Sequence, residues 1–97
     1  MQGDIVKKLS NFFKALACEW RIKIVEIVGE GEVGQAELVK KISIDFTTLS
    51  RHLKVLKDSE ILIERKEGER KLYSVRDMRV LEIVKLSKDL LRNDIER

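Results

Sequence analysis

From residue 4 to about residue 17, Ile5, Leu9, Phe12, Phe13 and Leu16 return at the spacing that places side chains on one face of a helix. Asp4 stands near its start, where the positive end of the helix dipole favours a carboxylate. After Cys18, residues 19 to 28 set Trp20, Ile24, Ile27 and Val28 on one face, widened by Ile22 and Val25. So broad an apolar surface predicts a second helix buried on most sides. Glycines at 29, 31 and 34 break the pattern, and this stretch reads as a polar connection. Gln35 to Ile42 supplies a short helix with Leu38, Val39 and Ile42 inward. Asp45 is placed to cap the next one, in which Leu49, Leu53 and Leu56 fall at i, i+4 and i+7. The opposite face of that helix carries Thr47, Thr48, Ser50, Arg51, Lys54 and Lys57. Two runs, 61 to 66 and 70 to 75, flank Glu67-Gly68-Glu69, where Gly68 can take the positive φ of a tight turn. A last helix is expected from Asp77 to about Leu91. Its apolar residues, from Met78 and Val80 to Leu90 and Leu91, cover more than one face, so a partner is expected to cover part of it.

The expected order is therefore α-α-α-α-β-β-α, mainly α with a small β-hairpin. A short helix, a turn, a helix with an apolar back and polar front, and then a basic ribbon make the pattern of a winged helix-turn-helix. In that arrangement one helix enters the major groove of DNA and the ribbon grips flanking phosphates. Thr and Ser hydroxyls bond several bases or phosphates, whereas an arginine contacts guanine in bidentate fashion, worth about 1 to 3 kcal/mol of discrimination. Arg51 is thus the leading specificity candidate, and His52 is expected to donate to a phosphate or base edge.

Charge sharpens this reading. The 97 residues carry a formal charge of only +3, but residues 46 to 76 hold eight basic side chains against five acidic, and the remainder balances twelve against twelve. All the positive excess lies where counterion release on DNA would need it. The length predicts one domain over residues 1–97, which as a monomer would bury only about 60 to 65% of its unfolded surface. One cysteine and one histidine leave no intrachain disulfide and no cysteine-based zinc site, and no cofactor motif appears. No nucleophile–base pair or phosphate-cradling glycine motif is present, so an enzyme is not expected. No apolar run approaches the roughly 18 residues of a membrane span, and a cytoplasmic protein is expected. Lys/Glu enrichment with few amides is the pattern reported for heat-loving prokaryotes.

Several blocks resemble the ArsR (arsenic-repressor-like) family of winged-helix regulators. They are Ala15-Leu16-Ala17 followed by Arg21-Ile22-Lys23-Ile24-Val25, then Glu37-Leu38, then Thr48-Leu49-Ser50-Arg51-His52-Leu53-Lys54-Val55-Leu56, and Glu67-Gly68 before Arg70-Lys71-Leu72-Tyr73. The resemblance implies a homodimer, joined by the first and last helices, that represses genes by binding an imperfect palindrome in double-stranded DNA. It implies that Thr47, Thr48, Ser50, Arg51 and His52 face the major groove. The wing residues Arg65, Lys66, Arg70 and Lys71 would then meet the adjacent backbone, with Lys54 and Lys57 adding positive charge on the reading helix. Metal-sensing members place paired cysteines in the short helix or histidines and carboxylates on the last one. Here Val33 to Leu38 holds no cysteine and the last helix no histidine, so no metal site of that kind is expected and the effector is left open. Phe46 also stands where the family often has a polar residue, and packs either on a thymine methyl or on the protein.

Other readings stand beside these. Cys18 is either a small buried filler or a redox-active thiolate at a helix start. Trp20 and the three phenylalanines are expected in the core rather than in a ligand cage. The chain as a whole has an alternative as a winged-helix module for protein or RNA, against which the polar front of the reading helix argues.

Overall fold

The computed structural model describes residues 2 to 96, and the side chains of residues 3 to 92. The elements run α1 (Gln2–Leu16), α2 (Glu19–Val28), β1 (Glu32–Gly34), α3 (Gln35–Ile42), α4 (Phe46–Asp58), β2 (Leu62–Glu67), β3 (Arg70–Val75) and α5 (Arg79–Glu96). Five helices surround a three-stranded antiparallel sheet of order β1-β3-β2.

The connection expected at residues 29 to 34 is corrected by this order. It contains β1, whose Val33 lies opposite Tyr73 and whose Gly34 lies opposite Leu72. A three-residue strand is too short to show alternation, and its bonds go to a segment some forty positions later. The observed order is thus α-α-β-α-α-β-β-α. Two boundaries also move. Ile61 stays outside β2, its N–H donating to Leu56 O and its carbonyl accepting from Arg76 N–H. The last helix starts at Arg79 because Asp77 lies before it and accepts from the Arg79 N–H through Oδ1, at 2.9 Å.

The core is built on α2 and α4. Ile24, Val25 and Val28 of α2 meet Leu49, Leu53 and Leu56 of α4, and Leu38, Ile61, Leu62, Tyr73 and Val75 close the space from α3 and the sheet. Leu53 is 1% exposed. The start of α4 is fixed by Asp45, whose carboxylate accepts from the Thr48 N–H (3.0 Å) and Thr48 Oγ1 (2.6 Å). These bonds hold the Asp45 carboxyl below its ordinary pKa. At the tip of the hairpin Gly68 takes φ +63°, which lets β2 reverse into β3 with Glu67 opposite Arg70.

The aromatic residues depart from the core expected for them. Phe12 is half-buried, but Phe13 is 53% exposed, Phe46 58% and Trp20 38%, with Lys23 Nζ 5.0 Å from the centre of the Trp20 ring. Ile5, Val6 and Leu9 of α1 and Leu86, Leu90 and Leu91 of α5 are exposed as well, and Phe13 and Leu91 line one cavity between the two helices.

Replacing Leu53 by Ala is expected to cost about 2 to 5 kcal/mol, as for other buried leucines, read as a fall in the urea unfolding midpoint. Asp45→Ala is expected to lower Tm at neutral pH, and the difference is expected to vanish as pH falls through the lowered Asp45 value and the wild-type carboxylate is protonated.

Candidate nucleic-acid interface

Helix α4 turns about 100° per residue, so burying Leu49, Leu53 and Leu56 decides where its other side chains point. Thr47, Arg51 and Lys54 lie at i, i+4 and i+7 opposite that stripe, and all three are exposed. Arg51 has no ion-pair partner among the described residues, while Lys54 Nζ donates to Asp58 at 3.0 Å. Phe46, Ser50 and Lys57 form the flank turned to the hairpin; Thr48 and His52 form the other, where His52 meets Arg21 of α2.

The flanking polar groups are tied to the protein. Thr48 is committed to the Asp45 cap. Ser50 Oγ accepts from Nε2 of Gln35, the first residue of α3 and itself buried, at 2.7 Å. His52 is half-buried with Nδ1 3.2 Å from Arg21 Nη1. Of the polar positions expected on the front of α4, Thr47, Arg51 and Lys54 are therefore the outermost.

The hairpin adds a second set of cations, and they fall into two groups. Arg65 is clamped by Glu32 of β1, with Nε 3.0 Å from Oε2 and Nη2 2.7 Å from Oε1, and also reaches Glu67 at 3.3 Å. Arg70 donates to Glu37 Oε1 at 3.3 Å, the same oxygen that accepts from the Gly34 N–H at the start of α3. Both arginines thus fasten the hairpin to β1 and α3, and the Glu32 carboxyl is held below its ordinary pKa chiefly by Arg65. Gly34 permits this closeness: a Cβ there would stand 3.1 Å from Glu37 Oε1 and 3.2 Å from Arg70 Nη2. Lys66 and Lys71 are exposed and have no ion-pair partner among the described residues.

Between α4 and the hairpin runs a cleft of about 300 Å³ lined by Phe46, Ser50, Arg70 and Lys71. A smaller one of about 190 Å³, sharing Ser50 and Lys71, is lined by Lys54, Lys57, Glu64 and Tyr73. Glu64 accepts from the Tyr73 hydroxyl at 2.7 Å and pairs with Lys57 at 3.8 Å. Its carboxyl is lowered first by the Tyr73 bond, and the Tyr73 phenol is raised by burial and by Glu64. Sequence reasoning assigned no site role to Gln35, Glu32, Glu37, Glu64 or Arg21, although Arg21 and Glu37 stand in the blocks that resemble the family. Only Glu37 left a local signal, standing three residues after a helix start, where a carboxylate reaches back to the first N–H.

Cys18 lies half-buried between α1 and α2, at the N-cap position of α2, and its side chain makes no capping bond. Among the described residues no three His, Cys, Asp or Glu side chains come together as metal ligands. No described helix is long and apolar enough to cross a membrane.

A helix-turn-helix formed by α3 and α4, followed by a β2–β3 wing, defines a winged helix-turn-helix domain. The same fold is seen in the homodimeric winged helix-turn-helix DNA-binding domain of a possible ArsR-family regulator from Mycobacterium bovis (TM-score 0.89, 23% identity, 98% of this chain and 88% of that one). It recurs in Rv0081 of Mycobacterium tuberculosis (TM-score 0.85, 26% identity, 95% and 93%). No protein-family model matches the sequence. Among curated relatives, a probable mercury resistance operon repressor of Streptomyces lividans is 36% identical over 81 residues, which is 84% of this chain and 65% of the relative. An uncharacterized HTH-type transcriptional regulator of Methanocaldococcus jannaschii is 33% identical over 85 residues, 87% of this chain and 96% of that protein. The arsenical resistance operon repressor of Staphylococcus xylosus is 32% identical over 69 residues, 71% and 66%. The chain thus spans about two thirds of the length of the two resistance repressors. It belongs to the ArsR-like family of winged helix-turn-helix transcriptional regulators.

Tyr73→Phe removes the hydroxyl that holds the Glu64 carboxylate. The Glu64 titration, followed by carboxyl NMR, is expected to move up toward the ordinary 4.5.

Proposed function

We propose that the chain is a homodimeric repressor that binds a palindromic operator in double-stranded DNA. One observation carries this reading: an exposed Thr47–Arg51–Lys54 stripe stands beside a hairpin whose Lys66 and Lys71 form no ion pair among the described residues. In this assignment α4 enters the major groove, with Arg51 as base reader and Thr47 and Lys54 beside it. Lys57, Lys66 and Lys71 meet phosphates on either side of the α4–wing cleft. Arg65 and Arg70 brace the wing and contribute their charge at longer range. Thr48 and Ser50 act mainly by fixing the helix, and Ser50 keeps its hydroxyl proton for the groove.

The exposed apolar face of α1 and α5 is the proposed dimer interface. Leu86 is 71% exposed and Leu90 66%, a cost in water that a second copy removes. Two copies double the cationic footprint and give the operator its two-fold symmetry. The protein acts in the cytoplasm, with no catalytic role. Its input is not a thiolate or imidazole metal site of the resistance-repressor kind, since one cysteine and one histidine per chain do not supply those ligands.

Selection from random duplexes followed by gel-shift titration tests the output. A preferred palindrome is expected, whereas binding no tighter than to random DNA would favour a protein- or RNA-interaction module. Arg51→Ala is expected to reduce preference for the operator over random DNA by about 5- to 150-fold, equivalent to about 1 to 3 kcal/mol. Lys71→Ala should weaken both alike and lower the salt slope by about one. Placing aspartate at both Leu86 and Leu90 is expected to leave a folded monomer in sedimentation velocity, with operator binding lost.

A further inference from the structure

Arg21 stands at the meeting point of three helices. Its Nε donates to Ala15 O at 2.6 Å and its Nη2 reaches Lys14 O at 3.4 Å, so the guanidinium caps carbonyls in the last turn of α1. Its remaining nitrogen, Nη1, is 3.2 Å from His52 Nδ1 on α4. We propose that Arg21 and His52 form a positioning link between α1 and the reading helix α4, and that His52 is a hydrogen-bond acceptor toward Arg21 and not a DNA contact. The proposal rests on the operator-binding reading and adds the device that orients α4 relative to the helix carrying the apolar face.

The donor count sets the chemistry. A guanidinium has five N–H donors and no acceptor, so a hydrogen bond from Arg21 requires an unprotonated Nδ1 and leaves the imidazole proton on Nε2. The imidazolium form has no lone pair to offer and would set a second positive charge against Arg21. Burial and then Arg21 hold the His52 pKa below its ordinary 6.5. From α2 the facing charge is Arg21, α1 contributes the Lys14 and Ala15 carbonyls to that same guanidinium, and among the described residues no carboxylate bears on the ring. The link is therefore intact above pH 6.5 and is lost as pH falls through the lowered value. A lysine at position 21 has no planar fork and does not span the three acceptors.

A DNA contact and a positioning link predict opposite signs. An imidazolium on phosphate tightens binding as pH falls, whereas loss of the link weakens it. Because His52 is the chain's only histidine, its ring nitrogens are read by NMR without ambiguity, and few other groups titrate between pH 7 and 5.5. In the free protein, Nδ1 is expected to be the bare nitrogen, with a midpoint below 6.5 that rises in Arg21→Ala. Affinity for the selected operator is expected to fall as pH drops below the midpoint of the ring titration, by up to about tenfold per pH unit. His52→Asn keeps an acceptor near the Nδ1 position and does not titrate, so it should bind with little pH dependence. His52→Leu should bind weakly at both pH values with an unchanged salt slope. A proton on Nδ1 at pH 7, wild-type affinity in His52→Leu, or tighter binding at pH 5.5 would each overturn the link alone. A protein with no preferred duplex at pH 7 overturns the operator reading and the link's role together.

Discussion

Everything on the outer surface of α4 follows from the seating of three leucines. Leu49, Leu53 and Leu56 are buried against α2 and the start of the sheet, and the regular turn of the helix converts that contact into an orientation. Thr47, Arg51 and Lys54 point outward because the leucines point inward. Close-packed interiors resist even small rotations, so the direction of the outward stripe is set by that packing. The Asp45 cap adds a fixed starting point, since it decides which residue is the first of the helix.

The wing depends on a different kind of bond. A two-stranded ribbon is marginal alone, and here β1 pairs with its inner strand while Glu32 and Glu37 hold Arg65 and Arg70. Exposed ion pairs contribute little to stability, so their role is to set geometry and to distribute charge. They divide the hairpin's cations into braces and available charges. A count of basic residues treats them alike, whereas the structure separates Lys66 and Lys71 from Arg65 and Arg70.

Sequence periodicity reaches as far as local burial does. It located all five helices, because the apolar residues of each recur at helical spacing, and the two hairpin strands were legible from the turn at Gly68 that they flank. It missed β1, which has three residues and a partner far along the chain. It also assigned Phe13, Phe46 and Trp20 to the core. Periodicity reports that a residue is apolar and on a face, but not whether the chain itself covers that face. On α1 and α5 it does not, and the large apolar area left in water is what points to a second copy.

What the sequence determined by itself was the family, through the block from Thr48 to Leu56 and the wing that follows, together with the position of the positive excess and the lack of metal-sensor ligands. These are properties of nearby residues, and nearby residues are readable in order. The tertiary structure decided which of the candidate side chains are free. Ser50 is engaged by Gln35, fifteen positions away, His52 by Arg21, thirty-one away, and Arg65 by Glu32, thirty-three away. Hydrogen bonds and ion pairs across such separations depend on how helices and strands are stacked, so the division of one basic, polar segment into outward-facing side chains and side chains tied to other elements exists only once the chain is folded.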